Sequence, residues 1–240
     1  MLESYSASTL ESIVHAWEAY AGLMQFAPAS DDPNLGGKLL YVGELDAANR
    51  AFAVAANIAG AATIAASAQP AALRESLREG VIDFHVNSLD EALRILKNEI
   101  RKRQPVAVAV SQAPAAIETE MLERGVLPDL LPPLRGTVPH SAILAKFLSQ
   151  GAQWVRTGSA QVAQRLQVWI APPEYAQNLA AFESLLMDQL PPNDCANRRW
   201  LRLSPRYLGP AARRLRSVAC DETTASRIIA RFGHPLNLNY

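Results

Sequence analysis

The sequence predicts an α/β protein built on a doubly wound parallel sheet of the Rossmann-like kind. Three observations carry that prediction. Between Leu39 and Leu131 five short apolar runs recur without clear polar alternation, as strands buried on both faces must read. Segments of helical periodicity separate them, which places the strands in parallel with right-handed crossovers. Caps and breakers stand at the joints: Asp46 and Ser88 ahead of helices, Pro70 and Pro114 in first turns, Gly60, Gly80 and Gly125 behind them.

Taken in order, residues 8–26 suit an amphipathic helix. Ser8 and Glu11 have capping-box spacing, and Leu10, Ile13, Val14, Trp17, Ala21 and Met24 recur at helical intervals. "APASDDPNLGG" then breaks the periodicity as a linker. "LLYV" (39–42) is the first strand and Asp46 to Ala59 the first crossover helix. "AATIAA" (61–66) is the second strand, followed by a helix from Pro70 to Gly80. "VIDFHV" (81–86) is the third strand, ahead of a helix capped by Ser88 with Leu89, Ala92, Leu93, Leu96 and Ile100 on one face. "PVAVAV" (105–110) is the fourth strand, Pro114 and Gly125 bracket the next helix, and "PDLL" ends the series as a fifth. Farther on the signal thins: helix over 138–150, strand at "RLQVWIA", helix from Glu174 to Leu190, strand at "RRWLRLS", and a last helix capped by Asp221 and stopped by Gly233. The resulting division is an N-terminal helix and linker over 1–37, a Rossmann-like domain over 38–136, and a small α+β segment over 137–240.

The 240 residues carry 23 basic and 23 acidic side chains, yet the charge is unevenly spread. Residues 1–197 hold 14 basic and 21 acidic groups; residues 198–240 hold 9 and 2. A basic end on an acidic body clamps onto that body or meets an anionic partner. No apolar run approaches the roughly 20 residues a membrane helix needs. The N-terminus has acids and no basic region ahead of an apolar one, so a secretory signal is not expected and the cytoplasm is. Cys195 and Cys220, far apart and without C-x-x-C spacing, read as free thiols of a reducing compartment rather than zinc ligands.

A turn that cradles a pyrophosphate needs glycine, because the backbone must approach the phosphates with no Cβ between. After the first strand this chain offers Gly43, Glu44, Asp46 and Arg50, with no glycine between Gly43 and Gly60. Asp46, placed to cap the helix, would occupy the positive end of the dipole itself. Arg50 one turn on would meet an anion or solvent. Ser67, at the end of the second strand, stands where dinucleotide folds put an acid for the ribose. Asp83 and His85 lie two apart near the end of the third strand, the geometry of an acid–base pair, though each also has a plain structural explanation. His140 and Ser141 lack an orienting carboxylate nearby in sequence. The stretch "RRWLRLSPRYLGPAARRLRS" sets Arg198, Arg199, Arg202, Arg206, Arg213, Arg214 and Arg216 beside Trp200 and Tyr207 with no acid among them. Such a run holds phosphates or nucleic acid, or pairs with the protein's own acids or a partner subunit.

From Lys38 to Leu131 the chain resembles the central NAD-binding domain of the urocanases. The resemblance rests on "NIAGAATIAASAQPAALRESLREGVID", "SLDEALRIL", "PVAVAV" and "LERGVLPDLL", with Gly60, Gly80, Asp83, Gly125, Pro128 and Asp129 at matching places. It implies the scaffold; the family's own members wrap the turn after the first strand around a tightly held NAD and hydrate urocanate, an activity not expected of this chain. The residues that serve the reaction in the family differ here. The glycine-rich cofactor turn is replaced by Glu44 to Ala53, the glutamate after the second strand by Ser67, and the His-Asp segment by "RGTVP", Arg135 to Pro139. The expectation is therefore a reduced relative with no cofactor, acting as a binding or subunit protein, as a homodimer or with a partner protein. Two alternatives stay open: an altered NAD(P) or nucleotide site at the strand ends using Arg50, and an anionic partner or nucleic acid on residues 198–216.

Overall fold

The computed structural model describes residues 5–133, 142–157 and 165–236. The chain opens with α1 (Ala7–Met24) and then alternates β1 (Leu39–Gly43), α2 (Ala47–Ala59), β2 (Ala62–Ala66), α3 (Pro70–Arg78), β3 (Phe84–Val86), α4 (Leu89–Lys102), β4 (Val106–Val110), α5 (Pro114–Glu123) and β5 (Leu130–Leu131). It continues through α6 (Ala142–Ser149), β6 (Gln153–Trp154), β7 (Arg165–Ile170), α7 (Leu179–Met187), α8 (Cys195–Tyr207), β8 (Leu215–Cys220) and α9 (Glu222–Phe232). Six strands form one parallel sheet in the order β3-β4-β2-β1-β5-β6, and β7 pairs with β8 in a second, antiparallel sheet. The predicted doubly wound α/β architecture is what the chain adopts.

Alternation along β1 sorts the core into two layers. Leu40 and Val42 face α1, α2 and α3, whose Ile13, Tyr20, Phe52 and Leu73 join them in one buried cluster. Leu39 and Tyr41 face α4, α5 and α6, with Leu96, Ile117 and Phe147 in another. β2 and β4 are buried at every position, which explains their apolar sequences. Among the described residues no helix is long and apolar enough to cross a membrane.

Several local expectations change. The first helix is capped by Ser6, whose side chain accepts from Thr9 N, and not by Ser8. The helix starts two residues earlier than the spacing of Ser8 and Glu11 suggested. The third strand begins at Phe84, so Asp83 opens it rather than nearing its end. "RRWLRLS" is not a strand but the middle of α8. Its buried face is Asn197, Trp200, Leu201 and Ser204, an i, i+3, i+4, i+7 pattern hidden because two of its members are polar. Of the helix expected over 138–150, Ala142–Ser149 is helical, Gln150 is already in a turn, and residues 138–141 lie outside the described residues. The helix expected from Glu174 begins only at Leu179, after a 3-10 turn at Pro173–Tyr175. β6 and β8 carried no clear signal.

The C-terminal elements are welded to the sheet domain through α8. Trp200 is fully buried, 5.1 Å from the Trp17 ring and 5.2 Å from the Tyr20 ring. Tyr20 donates its hydroxyl to Ala196 O at 2.9 Å, and burial raises its pKa above the usual phenol value. Gly60 ends α2 in the left-handed region (φ 98°), and a Cβ there would approach Arg199 Nη2 to 3.0 Å. That contact explains both the glycine and the arginine: Arg199 Nε donates to Ile58 O at 2.8 Å, answering a helix-end carbonyl, and Nη1 reaches Asp32.

Candidate switch-point pocket

In a doubly wound sheet, ligands sit at the C-terminal strand ends where neighbouring crossovers leave to opposite faces. Here β1 feeds α2 on one face, while β5, beside it, is reached through α5 on the other. A pocket of about 260 Å³ opens between them. The register of β1 against β2 slips between Tyr41 and Gly43, and Gly43 takes φ 71°, so the strand turns away as it leaves the sheet.

The polar groups of the turn satisfy one another. Asp46 accepts from Asn49 N at 2.8 Å, Glu44 Oε1 from Leu45 N at 3.2 Å, and Asn49 Nδ2 donates to Glu44 O at 2.9 Å. Arg50 turns away to α3, where it pairs with Glu75 at 3.1 Å and with Glu79. Ser67 is fully buried, and its hydroxyl accepts from Gln69 N at 3.1 Å. Of the candidate cofactor residues, Gly43, Glu44 and Asp46 line the pocket, while Arg50 is held on α3 and Ser67 lies under the next turn.

The sequence reading passed over the deepest part of the site. Tyr41, 2% exposed on β1, donates its hydroxyl to Glu118 Oε1 of α5 at 3.0 Å, and Glu118 is itself 7% exposed. Burial first, and the carboxylates of Glu118 and Glu44 next, push the Tyr41 phenol well above its usual pKa. The pocket wall is otherwise apolar, with Pro114, Leu131, Pro132, Leu144 and Trp154. Glu118 could have been found as the acid at an inward position of "PAAIETEMLE", between Ile117 and Met121.

Asp83 and His85 are not brought to this pocket. Asp83 Oδ2 accepts from Ala107 N at 2.8 Å while its own N–H donates to Ala107 O. Asp129 does the same with Leu39, and also meets Lys38 at 2.8 Å. These two aspartates tie the starts of β3 and β5 to their neighbours, which is work for the sheet. His85 is exposed on the edge strand. His140, Ser141 and Arg135 to Pro139 lie outside the described residues.

The seven arginines are scattered rather than aligned. Arg198 donates to Met187 O, Arg199 to Ile58 O, Arg214 to Ala171 O, and Arg216 to Arg213 O and Leu215 O. Arg202 lies 3.8 Å from Asp32. Arg206 stacks over Tyr207 at 5.2 Å, and it and Arg213 are exposed. Backbone carbonyls, more than acids, take these charges.

Cys195 and Cys220 are both free thiols. Burial pushes Cys220 up to about 11. A thiol-specific disulfide reagent at pH 8 should therefore label Cys195 in the native protein and reach Cys220 only on unfolding. Equal native rates would show that β8 opens freely. Since the folded pKa lies above the ordinary thiol value of 9.0, the associated stability is intact below pH 9 and lost as pH rises through about 11.

The family model of the urocanase Rossmann-like domain matches residues 13–154. This chain belongs to the urocanase family. The match begins within α1 and runs to β6, so in this urocanase relative it takes in the larger part of the first helix and the last strand of the large sheet.

Proposed function

We propose that this urocanase-family protein acts by binding, as a subunit or regulator, and that it holds no NAD at the β1–α2 turn. The observation that carries this reading is the self-capped turn. Two carboxylates, Glu44 and Asp46, stand where a pyrophosphate needs bare backbone, and Asp46 already takes the Asn49 amide at the helix start. A dinucleotide would have to displace that cap and accept its charge. The residues present therefore do not fit the cofactor. Arg50, the cation an altered nucleotide site would use, is committed to Glu75 and Glu79, which disfavours the enzymatic alternative. The carbonyl-bound arginines of α8 and β8 disfavour a nucleic-acid surface in the same way.

The partner surface is less defined. Phe84 at 48% and Leu77 at 41% exposure lie by the open edge of β3, an apolar margin suited to a second copy or a partner chain in a reducing compartment.

Protein purified without added nucleotide should release no NAD on denaturation and leave the ultraviolet absorbance of urocanate unchanged. NAD, NADP, ATP, ADP and phosphate should each leave the melting temperature where it was. A ligand at 100 times its Kd would contribute about 2.7 kcal/mol, roughly 5–10 °C for a chain of this length. A shift of that size with NAD, or stoichiometric NAD in the extract, would overturn the reading. Light scattering on the same sample reports whether the species is a dimer.

A further inference from the structure

We infer that the margin formed by β3 and α4 is a docking surface for a second copy of this chain, related by a two-fold axis beside Phe84. The inference rests on the binding or subunit role proposed above, and it names the partner and the residues that meet it.

The surface starts from an exposed aromatic ring. β3 is an edge of the large sheet, and Phe84 stands in register with Val108, which belongs to the core layer on the α4 side. Phe84 therefore projects on that side, at 48% exposure, into a groove of about 620 Å³ that Arg94, Ile95, Asn98 and Glu99 also line. Strand pairing across this edge is discouraged. β3 is only three residues long, and the Asn87 amide just past it is taken by Glu91 Oε2. Side chains, more than backbone, are what this margin offers a partner.

The pattern of charge says what fits there. Glu91, Arg94, Ile95, Asn98, Glu99 and Lys102 recur at i, i+3, i+4, i+7, i+8 and i+11, so they share one face of α4. The signs along that face run minus, plus, minus, plus. Turned end for end about an axis level with Ile95 and Asn98, the face sets Arg94 against Glu99 of the second copy and Glu91 against its Lys102. Ile95 then meets Asn98, and the two Phe84 rings lie together beside the axis. An isologous contact requires this self-complementarity, and the same helices laid parallel and level would oppose like charges. The groups are available for it. Arg94 is exposed, with no hydrogen bond or ion pair among the described residues, although it feels Asp90 one turn back. Glu99 uses Oε1 for both Asn98 and Lys102, which leaves Oε2 for a guanidinium. Such rim pairs fix register more than strength. α4 has 14 residues and is about 21 Å long, a margin at the low end of interface sizes, so micromolar dissociation is expected.

Sedimentation velocity from about 1 to 200 µM should show a monomer–dimer equilibrium with a micromolar Kd, weakened as salt is raised. Phe84→Ser should weaken the dimer at least tenfold while leaving the circular dichroism unchanged. Arg94→Glu and Glu99→Arg should each do the same, because each sets like charges against one another twice in a two-fold contact. The double variant exchanges the signs and should bring the Kd back to within threefold of the parent protein. A monomer throughout the range, a dimer indifferent to Phe84→Ser, or a double variant no better than the two single ones would each overturn the inference. A monomer that also releases no NAD confines the loss to this inference. NAD in the extract beside a dimer that passes these tests would instead remove the cofactor-free reading of the turn and leave the interface in place.

Discussion

Trp200→Ala should lower the melting temperature by roughly 10–15 °C, the largest single-residue effect expected in this protein. Its indole is fully buried, packs edge-on against Trp17 and at a tilt against Tyr20, and donates Nε1–H to Ser217 Oγ at 3.0 Å. Truncating a buried Trp costs about 3–5 kcal/mol through lost transfer energy and the cavity left behind. For a chain of this length each kcal/mol is about 2–4 °C. Trp200→Phe keeps much of the ring contact and loses the hydrogen bond, so it should recover more than half of the difference. Thermal unfolding followed by circular dichroism measures both. Because Trp200 joins α8 to α1, a drop below about 3 °C would mean that the C-terminal elements unfold independently of the sheet.

The second large effect is expected at Arg216, 4% exposed in the middle of the small sheet. Its Nη1 donates to Arg213 O at 3.0 Å and Leu215 O at 2.8 Å, and Nε stands 3.3 Å from Glu183 Oε2, too bent for a full hydrogen bond. Removing one partner of a buried pair typically costs about 3–5 kcal/mol, because the other charge stays behind without compensation. Arg216→Ala should therefore destabilise strongly, and Arg216→Met with Glu183→Leu much less. The pH dependence separates charge from packing. Burial already raises the Glu183 carboxyl above its usual pKa, and Arg216 opposes that rise. Without the arginine the folded pKa climbs further. A raised carboxyl contributes stability that is present below its unfolded value near 4.5 and lost as pH rises through the folded one. The deficit of Arg216→Ala should thus be smaller at pH 5 than at pH 8. An equal deficit at both would assign the loss to packing alone.

Both residues belong to the stretch that sequence reasoning treated as a candidate anion surface, and the reason is instructive. A guanidinium that answers a backbone carbonyl leaves no mark in the sequence. Arg198, Arg199 and Arg214 find their acceptors 11, 141 and 43 residues away. No local spacing could report such pairings. The pairing of Tyr41 with Glu118 spans 77 residues and was hidden for the same cause, although the acid at an inward position of α5 was a visible irregularity.

By itself the sequence determined the parts whose causes are local. Binary pattern and burial go together in strands, so "LLYV", "AATIAA" and "PVAVAV" declared a sheet buried on both faces, and Asp46, Ser88 and Asp221 declared their helices through caps that the backbone uses as expected. The self-capped turn was equally legible, because Asp46 and the amide it takes are three residues apart. Only the tertiary structure decided the direction of Arg50, the helical state of Cys195–Tyr207, the sheet-tying roles of Asp83 and Asp129, and the acidic pocket between β1 and β5. Each of these depends on which distant group arrives within about 3 Å, and the order of strands in the sheet settles that.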